Sequence, residues 1–159
     1  PGNDIVISED KIRGYRNFAT KIWNVSRFVL MHKPTRITAD TDTDKRGSIS
    51  ENPRTPALSK EDKKNLADLA KIKIKVTKHL ERFEFHLAAE TAYHYVWHTF
   101  ADEIIEESKG KEDYGATLYY ILENSLKLLH PFMPFVTEEI WQELNPGAVL
   151  MIESWPSNG

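Results

Sequence analysis

Two groupings of side chains in this sequence have types and spacings that could do chemistry. Between Lys11 and Ala39 there are seven basic residues, Lys11, Arg13, Arg16, Lys21, Arg27, Lys33 and Arg36, and no acid. Within that stretch Asn17, Lys21, Asn24 and Phe28 recur at three- and four-residue spacing, which puts them on one face of a helix. Cations bind phosphate, side-chain amides pair with base edges, and an aromatic ring holds an unstacked base. A helix that interleaves the three is suited to contact nucleic acid. The second grouping is Glu90, His94, His98 and Asp102, each four residues from the next. Two histidines at i,i+4 can chelate a metal, and a carboxylate one turn on could join them. Without a further ligand from another helix, the same stripe is a polar helix surface, and that is the expected reading. The pairs Glu106-Glu107 and Glu138-Glu139 are expected to be helix-surface charges, because acid–base work would need burial to shift them.

The rest of the sequence narrows the function classes. The chain has 159 residues and no cysteine, which removes disulfides, thiolate nucleophiles and cysteine-based zinc sites together. It contains no Gly-rich phosphate loop, no Gly-x-Ser-x-Gly elbow and no His-Glu-x-x-His. A hydrophobic fraction of 40% with 28% charged residues is ordinary for a soluble domain. No apolar run approaches the ~20 residues that span a bilayer, and the expected location is the cytosol. The formal charge of −3 conceals two opposed halves: 18 Lys and Arg against 11 Asp and Glu up to Phe83, then 3 against 13 from Glu84 onward. One half suits a polyanion and the other repels it.

The elements that must position these residues read as helices. Phe18, Ile22, Val25 and Val29 keep helical spacing along the basic stretch, so a first helix is predicted from about residue 9 to about residue 32, with Ser8 as N-cap and Pro34 as stop. Residues 34–58 are polar and proline-punctuated, without apolar period, and predict an irregular loop. Ser59-Lys-Glu-Asp62 resembles a capping box, and Leu66, Leu69, Ile72, Val76 and Leu80 carry a second helix to about Arg82. The third has Phe85, Ala89, Ala92, Val96, Phe100 and Ile104 on its buried side and ends near Lys109, with Gly110 suited to the C′ position. A fourth spans about Tyr114 to His130 on Leu118, Ile121, Leu122, Ser125, Leu128 and Leu129, and a fifth runs from about Pro134 to Leu144. The tail from Val149 to Pro156 reads as extended and is expected to lie against the helices. The expected fold is all-α, an antiparallel helical bundle of about five helices forming a single domain over residues 1–159. Its core should include Leu118, Ile121, Leu122, Leu129, Phe132, Ile140 and Trp141 with Phe18, Ile22, Val96 and Phe100.

Two long segments resemble a known family. The run from Arg16 to Met31, RNFATKIWNVSRFVLM, and the run from Leu128 to Leu144, LLHPFMPFVTEEIWQEL, are similar to the opening and closing helices of the anticodon-binding domain of class I aminoacyl-tRNA synthetases. Between them LERFEFHLAA (80–89), VWHTFAD (96–102) and IEESK (105–109) are similar to the family's middle helices, so the resemblance covers nearly the whole chain. The His-Pro-Phe-Met-Pro-Phe segment is shared with leucyl and isoleucyl members. Asn17 to Asn24 and Trp97 to Asp102 are most like the valyl members.

The resemblance implies a module that recognises the anticodon stem-loop of tRNA, most of all tRNA for valine, within a longer valine–tRNA ligase. The catalytic motifs of such enzymes, of the His-Ile-Gly-His and Lys-Met-Ser-Lys-Ser types, do not occur in this sequence. ATP and magnesium are therefore expected to act elsewhere on the ligase and no cofactor on this piece, whose partners would be tRNA and the catalytic domain of the same polypeptide. By position, the resemblance assigns base reading to Asn24 and Arg27 and places Asp102 and Lys109 at the end of the third helix that faces the anticodon loop. Arg16, Asn17, Lys21 and Phe28 complete the expected tRNA-binding set. Ile104 departs from the family, which carries an aromatic there. Two other classes stay open at the sequence level: a protein-interaction bundle whose opposite-charged halves dock partners, and a small metal-dependent hydrolase built on His94 and His98.

Overall fold

The computed structural model describes residues 9–32, 58–111 and 114–156. Among the described residues there are five helices, α1 (Glu9–Met31), α2 (Lys60–Glu81), α3 (residues 85–108), α4 (Gly115–Leu129) and α5 (Pro134–Leu144), followed by a short 3-10 turn, Leu150–Ile152. No strand occurs among the described residues. The expected N-cap Ser8 and all of the expected loop except Leu58 lie outside the described residues.

Local chemistry sets the boundaries where the sequence pointed. The Ser59 hydroxyl accepts from the Asp62 backbone N–H at 3.0 Å and the Asp62 carboxylate accepts from the Ser59 N–H at 2.9 Å, a complete capping box at the start of α2. Gly110 ends α3 with φ +85°. Between α2 and α3 the chain turns over Arg82, Phe83 and Glu84, and Phe83 takes φ +59°, a left-handed position normally given to glycine. The Glu84 N–H reaches back to the His79 carbonyl at 2.9 Å, and the His79 ring pairs with the Glu84 carboxylate at 2.6 Å. Between α4 and α5, His130 Nδ1 donates to Thr137 Oγ1 at 2.8 Å while that hydroxyl donates to the Met133 carbonyl at 2.8 Å, fixing the His-Pro-Phe-Met turn.

The third helix departs from expectation in its centre. It is α-helical over Phe85–His94, π-helical over Tyr95–Ile104 and α-helical again over Ile105–Ser108. Its buried residues come in pairs, Tyr95-Val96, Phe100-Ala101 and Ile104-Ile105, a period near that of a wider helix. A continued α period would instead turn Thr99 and then Asp102 inward. Not all apolar residues expected on buried faces are buried, and on α3 Ala89 is only half-buried while Ala88 takes the core position. Phe85 is 55% exposed because it sits at the first turn of α3 beside the Phe83 ring, and Phe132 is half-buried because the α4–α5 turn carries it to the rim. The remaining expected core is buried: Phe18, Ile22, Val96, Phe100, Leu118, Ile121, Leu122, Leu129, Ile140 and Trp141.

Consecutive helices run in opposite directions, so α1 and α3 lie parallel. Phe18 meets Tyr93 and Trp97, Lys21 meets Trp97 and Asp102, and Val25 and Phe28 share a groove with Ile105 and Lys109. The tail closes the side of the bundle, with Leu150 buried and Trp155 Nε1 donating to Thr77 Oγ1 at 2.9 Å. The two ends of the molecule differ in chemistry. One gathers Tyr15, Phe132 and Phe135 around an apolar groove of about 920 Å³. The other carries His32, Lys109 and Lys111.

Candidate nucleic-acid interface

The groove between α1 and the end of α3 has a volume of about 450 Å³ and is lined by Asn17, Thr20, Lys21, Asn24, Val25, Phe28, Ile105 and Lys109. Five of the eight expected tRNA-binding residues, Asn17, Lys21, Asn24, Phe28 and Lys109, thus line one concavity. It exists because Val25 buries on the core side of α1 while Asn17, Asn24 and Phe28 stand on the flank facing α3, each a turn or two from the next.

The amides of Asn17 and Asn24 make no side-chain hydrogen bond among the described residues, so their donors and acceptors are free to pair with a base edge. The Phe28 ring borders the same space. It is backed by the His32 imidazole at 4.2 Å between centroids, and that imidazole is held by a 2.8 Å contact from Nδ1 to the Phe28 carbonyl. An aromatic held this way can stack on an extruded base with little loss of side-chain freedom.

The two ammonium groups of the groove are engaged within the fold. Lys21 Nζ lies 2.5 Å from Asp102 Oδ1 and 4.2 Å over the Trp97 ring, and Lys109 Nζ lies 2.6 Å from Glu106 Oε1. Asp102 is therefore the residue that positions Lys21, and Trp97, on the same helix as Asp102, shares that task. The 2.5 Å contact also ties the π-helical segment of α3 to α1 across the wall of the groove. Sequence reasoning did not pair Trp97 with Lys21, since nothing local links residues on two helices that far apart. Thr20 was missed for a different reason, lying between the two stripes of α1.

The structure separates the arginines from this groove. Arg16 and Arg27 are exposed on the outer ridge of α1 together with Arg13, and Arg27 borders a different recess with Trp23, Ser26, Leu30 and Glu143. None of the three forms an ion pair among the described residues. Asn24 and Arg27, expected to act together, thus face adjacent but distinct surfaces. The result is a division in which free amides and a ring occupy the groove and free guanidinium groups stand on the adjoining outer ridge of α1. That is the arrangement for reading bases while holding phosphates.

The stripe Glu90, His94, His98 and Asp102 is exposed. His94 stacks on His98 at 5.5 Å, Glu90 lies 3.7 Å from His94, and Asp102 lies 3.7 Å from His98. No set of three or more His, Asp or Glu side chains that could hold a metal ion occurs among the described residues, and no described helix is long and apolar enough to cross a membrane.

Comparison with known proteins identifies the family of the chain. The family described as the anticodon-binding domain of tRNA ligase matches residues 62–159. The chain is 38% identical over 165 residues to a valine–tRNA ligase of Carboxydothermus hydrogenoformans, covering 98% of this chain and 17% of that protein. It is 40% identical over 167 residues to a valine–tRNA ligase of Geobacter sulfurreducens, covering 98% of this chain and 18% of the relative. It is 34% identical over 167 residues to one of Bacillus anthracis, covering 99% and 18%. The chain spans less than a fifth of the length of these relatives.

Proposed function

We propose that this chain, which belongs to the anticodon-binding domain family of tRNA ligases, recognises the anticodon stem-loop of tRNA for valine as part of a cytoplasmic valine–tRNA ligase. The observation that carries this reading is the groove between α1 and α3, in which two free amides and a braced phenylalanine face one space, with unpaired arginines on the outer ridge of the same helix α1. Loop bases can be splayed out, stacked and hydrogen-bonded there, which is how single-stranded RNA is read. The arginine ridge supplies charge, and with it affinity that falls with salt. On this reading the chain holds no cofactor, and ATP and magnesium act on the remainder of the ligase.

The test is a titration of the chain with tRNA transcripts that differ only in the anticodon. Tighter binding of the valine anticodon than of unrelated anticodons supports the proposal. Equal binding of all transcripts, or none, refutes it.

A further inference from the structure

We propose that the outer face of α2 is a second RNA-contacting surface, a rail of lysines that grips the sugar–phosphate backbone of the same tRNA without reading its sequence. This rests on the reading of the chain as a tRNA-binding domain, and it assigns a role to residues outside the groove.

The buried face of α2 is made by Asp62, Asn65, Leu69, Lys73 and Val76. At 100° per residue, Lys60, Lys64, Lys71, Lys75 and Lys78 fall within a narrow stripe on the opposite side, and all five are exposed. The stripe runs the length of the helix, roughly 27 Å at 1.5 Å per residue. Among the described residues Lys71 pairs with Asp68 at 2.8 Å, while Lys60, Lys64, Lys75 and Lys78 form no ion pair. Two acids of the first turn are engaged elsewhere. Asp62 is in the capping box and Glu61 is paired with Lys111.

A solvated helix surface ordinarily interleaves both signs, because like charges at i,i+4 destabilise a helix and opposite ones support it. Here Lys60 and Lys64, and Lys71 and Lys75, are like-charged i,i+4 pairs, and Lys60 also stands in the first turn, where the helix dipole disfavours cations. Apart from the Lys71–Asp68 pair, the stripe therefore works against helix stability, and an external polyanion supplies the missing compensation. The charge column is long and nearly free of apolar side chains, with Ile74 and Ala67 along it. That suits a phosphate backbone rather than a bilayer surface, which would need an apolar face beside the lysines. At ~3.4 Å of rise per phosphate along one strand, a rail of this length spans on the order of eight phosphates. Because α3 and α4 pack against both α1 and α2, the rail is displaced from the groove. It would meet backbone while the groove meets bases.

The experiment uses the chain and a combined variant, Lys64→Gln, Lys71→Gln, Lys75→Gln and Lys78→Gln, titrated over a range of salt with full-length valine tRNA and with its isolated anticodon hairpin. The variant is expected to shallow the salt slope for full-length tRNA by about three units, at about 0.7–0.9 per phosphate contact, and to weaken all anticodon variants equally. A slope lost on full-length tRNA but kept on the hairpin places the contact beyond the stem-loop. A slope lost on both places it within the stem-loop, and either result supports the rail. The matching Lys→Arg variant should restore the slope, and an unchanged circular dichroism melt confirms that folding is intact. A slope equal to the parent's on both RNAs overturns the proposal. If the parent shows no anticodon preference while the Gln variant loses slope, the groove reading fails and the rail stands. A kept preference with an unchanged slope does the reverse.

Discussion

Lys21 and Asp102, 81 residues apart, meet at 2.5 Å across the line where α1 packs on the π-helical part of α3, with the Trp97 ring beneath the ammonium at 4.2 Å. This contact decides how Lys21 can act. A cation already held by a carboxylate and a ring meets a phosphate only by exchanging one partner for another, whereas the arginines on the ridge need no exchange.

Replacing Asp102 by Asn should therefore free Lys21 and raise affinity for all tRNAs, with a salt slope steeper by about one unit. Lys21→Ala should do less harm to binding than Arg16→Ala. As a partly exposed ion pair, the contact contributes roughly 0.2–1 kcal/mol to stability, so thermal melts of both variants should stay close to the parent. Salt-dependent binding titrations check the order of effects.

Phe83 sits at φ +59° in the α2–α3 turn with its ring 78% exposed. A left-handed conformation costs a non-glycine residue about 1–2 kcal/mol, and little burial offsets it here. Phe83→Gly should raise stability by up to that amount, offset in part by the added freedom of the unfolded chain. Denaturant unfolding with an unchanged m-value is the check, and a loss of stability would mean that the Phe83 ring against Phe85 matters more than the turn.

Burial pushes the Asp62 carboxyl up, but the polar Ser59 and Thr117 side chains beside it, the hydrogen bond from the Ser59 N–H and nearby Lys111 outweigh it and hold it below the ordinary aspartate range. A carboxyl depressed in the folded state stabilises the fold above its unfolded pKa of about 3.9 and loses that contribution as pH falls through its folded value. Ser59→Ala should cost about 1 kcal/mol at neutral pH. The gap between parent and variant should shrink below pH 4, as read from unfolding curves at stepped pH.

The helices were legible wherever one period and one terminator agreed. Ser59 and Asp62 announced the start of α2, Gly110 the end of α3, and Pro131 and Pro134 the turn between α4 and α5. Leu118, Ile121, Leu122 and Leu129 gave the face of α4 that the structure buries. The π-helical segment escaped because Val96, Phe100 and Ile104, spaced by four, fit either helix type, and packing against α1 selects between them. Phe85 misled because an aromatic at a helix start reads as core by spacing alone. In the interface, Asn17, Asn24 and Phe28 were visible as a stripe, since that relation lies within one helix. The capture of Lys21 by Asp102 and Trp97, and the turning of Arg27 toward Glu143, depend on how helices distant in sequence are laid together.

Base reading by Asn24 in the groove is decided by comparing Asn24→Ala with the parent on tRNAs differing only in the anticodon. Loss of a base-edge contact should reduce discrimination for the valine anticodon by about 1–3 kcal/mol while the salt slope stays as it was. An Asn24→Ala variant that keeps the parent's anticodon preference would contradict the account.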